Sequence, residues 1–201
     1  MMRLPTNVPA RTDRAAGDWQ IPAVIHQTFK SSEITEAMYS AAQGWFETNP
    51  DYTYRFHDDA AVEQFIEENF DDETLRAYRR IEAGAFKADF WRVCVLYVEG
   101  GVYADIDTVC LRPLSSLLTP EDRFVSGAAG PPRDFAIYNC FICAAPGHPF
   151  LEAALRRSTY LLLNGPRRYD GYQVNGPGNL GPAVNRVLGR DEGSAHTHGS
   201  H

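Results

Sequence analysis

Lysine is nearly absent from this sequence. Lys30 and Lys87 are the only two, so arginine supplies almost all of the 19 basic residues, against 26 acidic ones. The resulting net charge of −7 argues against a general nucleic-acid-binding surface. An anionic ligand would therefore need a local solution, such as a metal ion or a few well-placed cationic side chains.

Long apolar stretches are also missing. No run approaches the roughly 20 apolar residues of a membrane-spanning helix, and the start of the chain lacks the apolar core of a signal peptide. We therefore expect a cytoplasmic chain without a transmembrane segment. Residues 1–19 are predicted to be a flexible N-terminal arm, and residues 191–201 a polar, histidine-containing tail.

Cysteine is scarce as well. Four residues, Cys94, Cys110, Cys140 and Cys143, are too few for a disulfide framework in 201 residues. Cys140 and Cys143 have the spacing of a metal or redox motif, but they stand inside an apolar run and no second such pair exists. We predict buried structural thiols, which suit a reducing compartment.

The hydrophobic pattern alternates between strand and helix. Apolar residues make up 44% of the chain, enough for one domain with a substantial core. Residues 20–190 are predicted to form an α/β domain whose central sheet is mostly parallel and flanked by helices. The predicted strands are 21–29, 52–56, 101–106, 123–129 and 136–146. The predicted helices are 33–47, 60–69, 75–84, 85–101, 149–163 and, after a glycine-rich loop at 175–182, 183–189.

Two acids end an apolar strand in GVYADIDTV (101–109). Asp105 and Asp107 are two residues apart, so their side chains face the same way along a strand. A cation between two such carboxylates would relieve their repulsion, and Mg²⁺ or Mn²⁺ commonly bridges carboxylates to phosphates. The alternative is a solvated turn that happens to carry two acids.

The preceding helix carries a second pair of charges. Asp89 and Arg92 are spaced i, i+3 and share a helix face. They could be a surface ion pair, which would contribute little to stability. They could equally face the Asp105 site, where Arg92 would meet an anion and Asp89 would accept hydroxyl donors. The spacing leaves both interpretations open.

These segments resemble a known family. Residues 85–114, AFKADFWRVCVLYVEGGVYADIDTVCLRPL, resemble the central signature of DXD-containing glycosyltransferases related to yeast initiating α-1,6-mannosyltransferases and bacterial capsule sugar transferases (glycosyltransferase family 32). The clostridial glucosylating toxins share it more distantly. Softer matches in the same order extend the resemblance over roughly residues 20–188: IPAVIHQTF (21–29), NPDYTYRFHDD (49–59), NCFICAAPGHPFLEAAL (139–155) and NGPGNLGPAV (175–184).

The resemblance implies a nucleotide-sugar-binding fold of the GT-A type and sugar transfer with retention of anomeric configuration. It implies Asp89, Arg92, Asp105 and Asp107 as catalytic residues, and a divalent metal, Mn²⁺ or Mg²⁺, as cofactor. The donor would be a UDP- or GDP-sugar, and the acceptor a glycan or another hydroxyl compound. The donor-binding set that it implies comprises His26, Gln27, Phe29, Asp89, Arg92, Tyr103, Asp105, Asn139, Gly176 and Pro177.

Three positions depart from the family pattern. Phe29 stands where the family often has tryptophan, but phenylalanine can still stack on a base. Asn175 replaces a threonine in the late loop. The tail AHTHGSH (195–201) keeps only a loose form of a closing element, so His198 is predicted as a third metal ligand beside Asp105 and Asp107. The alternative is a disordered, histidine-rich end of the chain.

Two rival functions use the same residues. YADIDTV also fits the D-x-D-x-[TV] pattern of haloacid-dehalogenase-like phosphatases, with Asp105 as nucleophile and Asp107 as general acid. That fold normally supplies a later lysine and a later acidic pair, but no lysine and no adjacent pair of aspartates follow Asp107. The other rival is a nucleotide-sugar or glycan-binding domain without transfer activity.

Overall fold

A mixed β-sheet flanked by helices forms the centre of the computed structural model, which describes residues 1–197. Within those residues the sheet has six strands in the order β2-β5-β3-β6-β8-β7, and β1 and β4 form a separate two-stranded sheet. The strands are β1 (Met2–Arg3), β2 (Asn7–Val8), β3 (Val24–Thr28), β4 (Glu33–Ile34), β5 (Thr53–His57), β6 (Gly101–Ala104), β7 (Phe124–Ala128) and β8 (Ile137–Ala144).

The three strands β5, β3 and β6 run parallel at the centre of the sheet. The flanking strands β2, β8 and β7 are antiparallel to their neighbours. The predicted α/β class is confirmed, with parallel pairing at the centre and antiparallel pairing on both flanks. Because β3 and β6 are parallel neighbours, the residues after Thr28 and Ala104 lie at the same edge of the sheet.

Helices cover both faces of the sheet. They are α1 (Glu36–Thr48), α2 (Asp59–Asn69), α3 (Asp72–Arg79), α4 (Gly84–Val98), α5 (Pro149–Asn164), α6 (Gly171–Val174) and α7 (Pro177–Val187), with a 3₁₀ turn at Leu114–Ser116. Within residues 1–197, none of them combines the length and the apolar character needed to cross a membrane.

Helix α4 is buried along most of its length and leads directly into β6. Its residues from Asp89 to Leu96 are all buried, including both charged ones. Gly100 and Gly101 then turn the chain with φ values of +66° and +97°, where glycine is favoured. A Cβ at Gly101 would lie 2.5 Å from Val24 Cγ1 of β3, so the turn also requires a residue without a side chain.

The predicted glycine-rich loop at 175–182 is wrong. Residues Pro177–Val187 form α7, with Gly176 as N-cap and Pro177 in the first turn. Proline suits that position because its missing N–H would be unpaired there anyway. A Cβ at Gly181 would lie 2.0 Å from the Phe135 carbonyl oxygen, so the glycine permits close packing inside a helix. Tertiary packing thus outweighs the low helix propensity of glycine.

The first 19 residues lie along the domain. Strand β2 pairs with β5, and Leu4 is 2% exposed. The guanidinium of Arg14 lies 3.5 Å from the centre of the Trp19 ring and donates hydrogen bonds to the Ile21 carbonyl and the Tyr52 hydroxyl. The segment set apart by sequence as an arm therefore contributes to the sheet and to the core in this structure.

Two histidines lie between β3, β5 and α4, with His26 fully buried and His57 half-buried. The ring centres of His26 and His57 lie 6.0 Å apart, and that of Trp91 lies 4.7 Å from His57. Burial, together with the neighbouring His57 and Arg55 charges, lowers the pKa of His26 to about 3. Burial and then Arg55 lower the pKa of His57 to about 4. Both imidazoles are therefore neutral in the folded protein near neutral pH.

These histidines predict that stability falls in mild acid. The unfolded chain binds their protons near pH 6.5, whereas the folded chain binds them only at about 3 and about 4, so unfolding is favoured as pH drops below 6.5. Asp89, whose pKa is raised to about 6, acts in the opposite direction. When the pH is lowered from 7.5 to 5.5, the unfolding free energy of His57→Phe should fall by about 1 kcal/mol less than that of the wild type.

Urea unfolding at the two pH values, followed by circular dichroism, measures this difference. An identical loss in both proteins would contradict the assignment of His57 as a neutral, half-buried group.

Candidate active site at the end of β6

The backbone of Asp105 is fixed at the carboxyl end of β6. Its N–H donates to the Cys140 carbonyl at 2.8 Å, which ties it to β8. Its carbonyl oxygen accepts hydrogen bonds from Gln27 Nε2 at 3.1 Å and from Thr108 Oγ1 at 2.6 Å. Gln27 is itself held by the Tyr54 hydroxyl at 2.9 Å. Strands β3, β5 and β8 thus set the position of the first acid of the motif.

Arg92 joins the two acidic segments. Its Nη2 lies 3.0 Å from Asp89 Oδ1 and 2.9 Å from Asp105 Oδ1. Its other nitrogens donate to backbone carbonyls, Nη1 to Asn139 and Nε to Ala88. The side chain is 3% exposed, so the surface-ion-pair interpretation is wrong and the arrangement is a buried clamp.

Tyr103 and Asn139 complete the clamp. The Tyr103 hydroxyl donates to Asp105 Oδ1 at 2.7 Å, and its ring lies 4.5 Å from Arg92 Cζ. Asn139 Nδ2 donates to Asp89 Oδ1 at 2.8 Å. In each carboxylate the Oδ1 atom therefore faces the clamp, and no hydrogen bond from the described residues reaches the Oδ2 atom of Asp105.

Burial makes it energetically unfavourable to ionise the carboxyl groups of this cluster. It raises the pKa of Asp89 to about 6, although Arg92 and Asn139 oppose the shift. Burial also raises the pKa of Asp105, against the opposing effects of Arg92 and Tyr103. The clamp therefore keeps two carboxylates in a place where each would otherwise prefer to be protonated.

A cavity of about 380 Å³ opens beside the clamp. Its acidic lining residues are Asp59, Asp89, Asp105 and Asp107, and its cationic ones are Lys30, Lys87 and Arg92. Asp107 is exposed, in the turn after β6. The aromatic rings that line it are Phe29, Tyr78, Trp91 and Tyr103.

Most of the predicted site residues meet here. Phe29, Asp89, Arg92, Tyr103, Asp105 and Asp107 line the cavity, and Asn139 is bonded to Asp89. Gln27 donates a hydrogen bond to the Asp105 carbonyl oxygen. Gly176 lies beside Asp89: a Cβ there would be 3.2 Å from Asp89 Oδ2.

Two predicted residues lie outside the cavity. His26 does not line the cavity in residues 1–197; it is fully buried, with Nε2 3.2 Å from the Gly100 carbonyl oxygen and 3.7 Å from Glu99 Oε2. Pro177 begins α7 and does not line the cavity in the described part of the chain. His198 falls outside the described residues. The free thiols Cys94 and Cys143 are buried as predicted, while Cys110 and Cys140 are half-buried.

Sequence reasoning missed several lining residues. Asp59, Tyr78, Lys30 and Lys87 were not assigned to the site. Asp59 and Tyr78 reach the cavity from α2 and α3, which only tertiary packing brings near β6. The lysines did carry a signal, since they are the only two in the chain.

The oxygen donors of the cavity fit a hard divalent cation. Asp105 Oδ2 and the exposed Asp107 carboxylate belong to residues two positions apart in one turn, and carboxylate oxygens suit Mg²⁺ or Mn²⁺. Within residues 1–197, no group of three or more His, Cys, Asp or Glu side chains could enclose an ion. The protein side would therefore supply few ligands, and phosphate oxygens and water would supply the others.

Comparison with known proteins connects this geometry to a family. Residues 35–125 match the family model described as "Glycosyltransferase sugar-binding region containing DXD motif". The chain is a relative of the DXD-motif glycosyltransferases. The match spans the Asp89–Arg92 helix and the Asp105–Asp107 turn, and it confirms the resemblance drawn from the sequence.

Several curated proteins similar to this chain come from fungi. The chain is 34% identical over 145 residues to inositol phosphoceramide mannosyltransferase 3 of Schizosaccharomyces pombe, covering 72% of this chain and 39% of the relative. It is 32% identical over 158 residues to the initiation-specific alpha-1,6-mannosyltransferase of the same organism, covering 69% and 40%. The chain thus spans about two fifths of the length of these relatives.

A solved structure shares the fold. The PaToxG glycosyltransferase superposes with a TM-score of 0.69 at 20% identity, over 84% of this chain and 70% of that one. The likeness supports a common architecture for the sheet and its helices.

Removing the guanidinium group of Arg92 should strongly lower the stability of the protein. Arg92→Met leaves the buried Asp89 and the half-buried Asp105 carboxylates without their partner, and we expect a loss of about 3–5 kcal/mol in unfolding free energy, or a fall in Tm of roughly 10 °C. Arg76→Met removes an exposed ion pair with Glu73 and should change stability by under about 1 kcal/mol.

Thermal unfolding at pH 7.5 without divalent metal compares the two variants with the wild type. Equal, small shifts for both would contradict the clamp.

Proposed function

We propose that this chain is a metal-dependent, retaining glycosyltransferase domain. It moves a sugar from a nucleotide-sugar donor to a hydroxyl group of a glycan or another acceptor. The observation that carries the proposal is the fixed position of Asp105, which Arg92 and Tyr103 hold at a cavity that Asp107 also lines. The match of this segment to the DXD family model supports the same conclusion.

The lining residues suit the charges that develop in sugar transfer. Breaking the bond between sugar and phosphate places negative charge on the leaving diphosphate and positive charge on the anomeric carbon. Bound Mn²⁺ or Mg²⁺ would neutralise the diphosphate, with Asp105 and Asp107 as its protein ligands. Asp89 would accept hydrogen bonds from sugar hydroxyls, and Phe29 would stack on the base.

We propose only the chemical classes of the donor and the acceptor. The relatives are named as mannosyltransferases, so mannosyl donors are the first to test among UDP- and GDP-sugars. We infer retention, and front-face attack by the acceptor assisted by the leaving diphosphate, from the family resemblance. The acceptor class is a hydroxyl-bearing glycan or glycolipid headgroup.

A donor panel tests the function directly. With Mn²⁺, at least one nucleotide sugar should raise the Tm by mass action and should be hydrolysed or transferred. Asp107→Asn should lower turnover by about 100-fold or more, because it removes a metal-binding carboxylate without burying a new group. The matched control Glu67→Gln changes an exposed acid on α2 and should keep full turnover.

Three outcomes distinguish the rivals. If no nucleotide sugar binds with metal, the proposal is wrong. Tight donor binding with no turnover under any acceptor would favour the binding-only domain. Hydrolysis of a generic aryl phosphate with Mg²⁺, lost in Asp105→Asn, would favour the phosphatase.

Asp89 predicts an acid limit to donor binding. Its pKa of about 6 means that it is mostly ionised at pH 7.5 and mostly protonated at pH 5. Protonation removes an acceptor for sugar hydroxyls, so donor affinity should fall roughly tenfold between those values. Nucleotide sugars suit this test because their diphosphate diester does not titrate in that range.

Calorimetric titrations from pH 5 to pH 8 measure the effect, with circular dichroism to verify folding at each pH. Asp89→Asn should bind the nucleotide sugar weakly, and its affinity should not fall further between pH 7.5 and pH 5. A wild-type affinity that stays constant across this range would contradict the role of Asp89.

A further inference from the structure

Both lysines of the chain line one cavity. Lys30 follows Phe29 beyond the end of β3, and Lys87 lies near the start of α4. Their Nζ atoms lie near aromatic rings of the same cavity, 5.9 Å from the Phe29 ring centre and 5.0 Å from that of Tyr78. Within residues 1–197, neither lysine forms an ion pair with a carboxylate.

Arg92 is poorly placed to bind an anion. All three of its guanidinium nitrogens contact protein acceptors, and the side chain is 3% exposed. To reach a phosphate it would have to release Asp89 or Asp105, and a buried carboxylate would then lose its partner. We therefore do not assign the anion to Arg92. Of the cationic side chains that line the cavity in residues 1–197, Lys30 and Lys87 are the two available to a ligand.

The position of Lys87 also favours the binding of an anion in this cavity. A cation near the start of a helix is disfavoured by the helix dipole, and the first turn of α4 carries no acidic side chain to offset it. The positive charge of a lysine that faces a cavity at this position conflicts with the positive end of the helix dipole, and such local conflicts are typical of binding sites. The ammonium group of lysine is a compact charge with three rotatable donors, which suits phosphate oxygens.

We propose that Lys30 and Lys87 form a cationic pair that binds the diphosphate of the nucleotide without requiring the metal. The inference rests on the proposed function, because it assigns the diphosphate of that donor to this cavity. The metal and the DXD carboxylates would then add affinity and catalysis to a diphosphate that the lysines already hold. Both UDP and GDP, which share that group, should bind in the absence of divalent ions.

The test measures binding with the metal removed. Calorimetric titration of UDP, GDP and inorganic pyrophosphate is done in EDTA and repeated with Mn²⁺. In EDTA, Lys30→Met and Lys87→Met should each weaken the wild-type affinity roughly tenfold, and the double variant should lose more. Lys87→Arg keeps the charge and should retain most of the affinity.

Arg156→Met is the matched control, since it removes an exposed cation that pairs with Glu152 on α5, away from the cavity. It should leave the affinity for all three probes unchanged.

The outcomes separate this proposal from the function. Failure of UDP and GDP to bind the wild type with Mn²⁺ would overturn both. Binding with Mn²⁺ but not in EDTA would overturn the lysine pair alone. Equal affinities of the wild type and the double variant in EDTA would also overturn the lysine pair, while donor turnover with Mn²⁺ would still support the transferase.

Discussion

The buried guanidinium of Arg92 holds the site together. It contacts Asp89 on its own helix and Asp105 after β6, and it packs over the Tyr103 ring. These contacts require that α4 and β6 meet at a fixed angle, which the turn at Gly100 and Gly101 provides. The oppositely charged side chains of Asp89, Arg92 and Asp105 thus meet because a helix, a two-glycine turn and a short strand follow one another directly.

This arrangement is costly for folding and useful for binding. Desolvation raises the pKa of Asp89 and Asp105 despite the adjacent cation, so replacing the cluster by apolar residues would by itself favour stability. In return, carboxylate groups are fixed at the cavity before any ligand arrives. Preorganised charges need no reorganisation when the reaction proceeds, and this is a principal source of electrostatic catalysis. In our proposal, Arg92 positions the two acids, and Lys30 and Lys87 contact the ligand.

Local patterns predicted the elements well, because strands such as Val24–Thr28 and caps such as Asp58 are encoded within a few residues. The resemblance also implied that Asp89 and the DXD segment share one site, which the spacing alone had left open. The first half of helix α7 was not predicted, because Gly178 and Gly181 permit close packing against Tyr172 and Phe135 that only the tertiary structure reveals. The burial of Arg92 and the approach of both lysines to one cavity depend on long-range contacts, which spacing along a helix cannot reveal.

A crystal structure with Mn²⁺ and a non-hydrolysable nucleotide sugar tests the central claim most directly. The account predicts the metal at the Asp105–Asp107 turn, with carboxylate–metal distances of about 2.0–2.2 Å. It also predicts that Arg92 still contacts Asp89 and Asp105 and that the diphosphate lies toward Lys30 and Lys87. An Arg92 side chain that leaves these carboxylates for the phosphates, or a metal bound away from this turn, would contradict it.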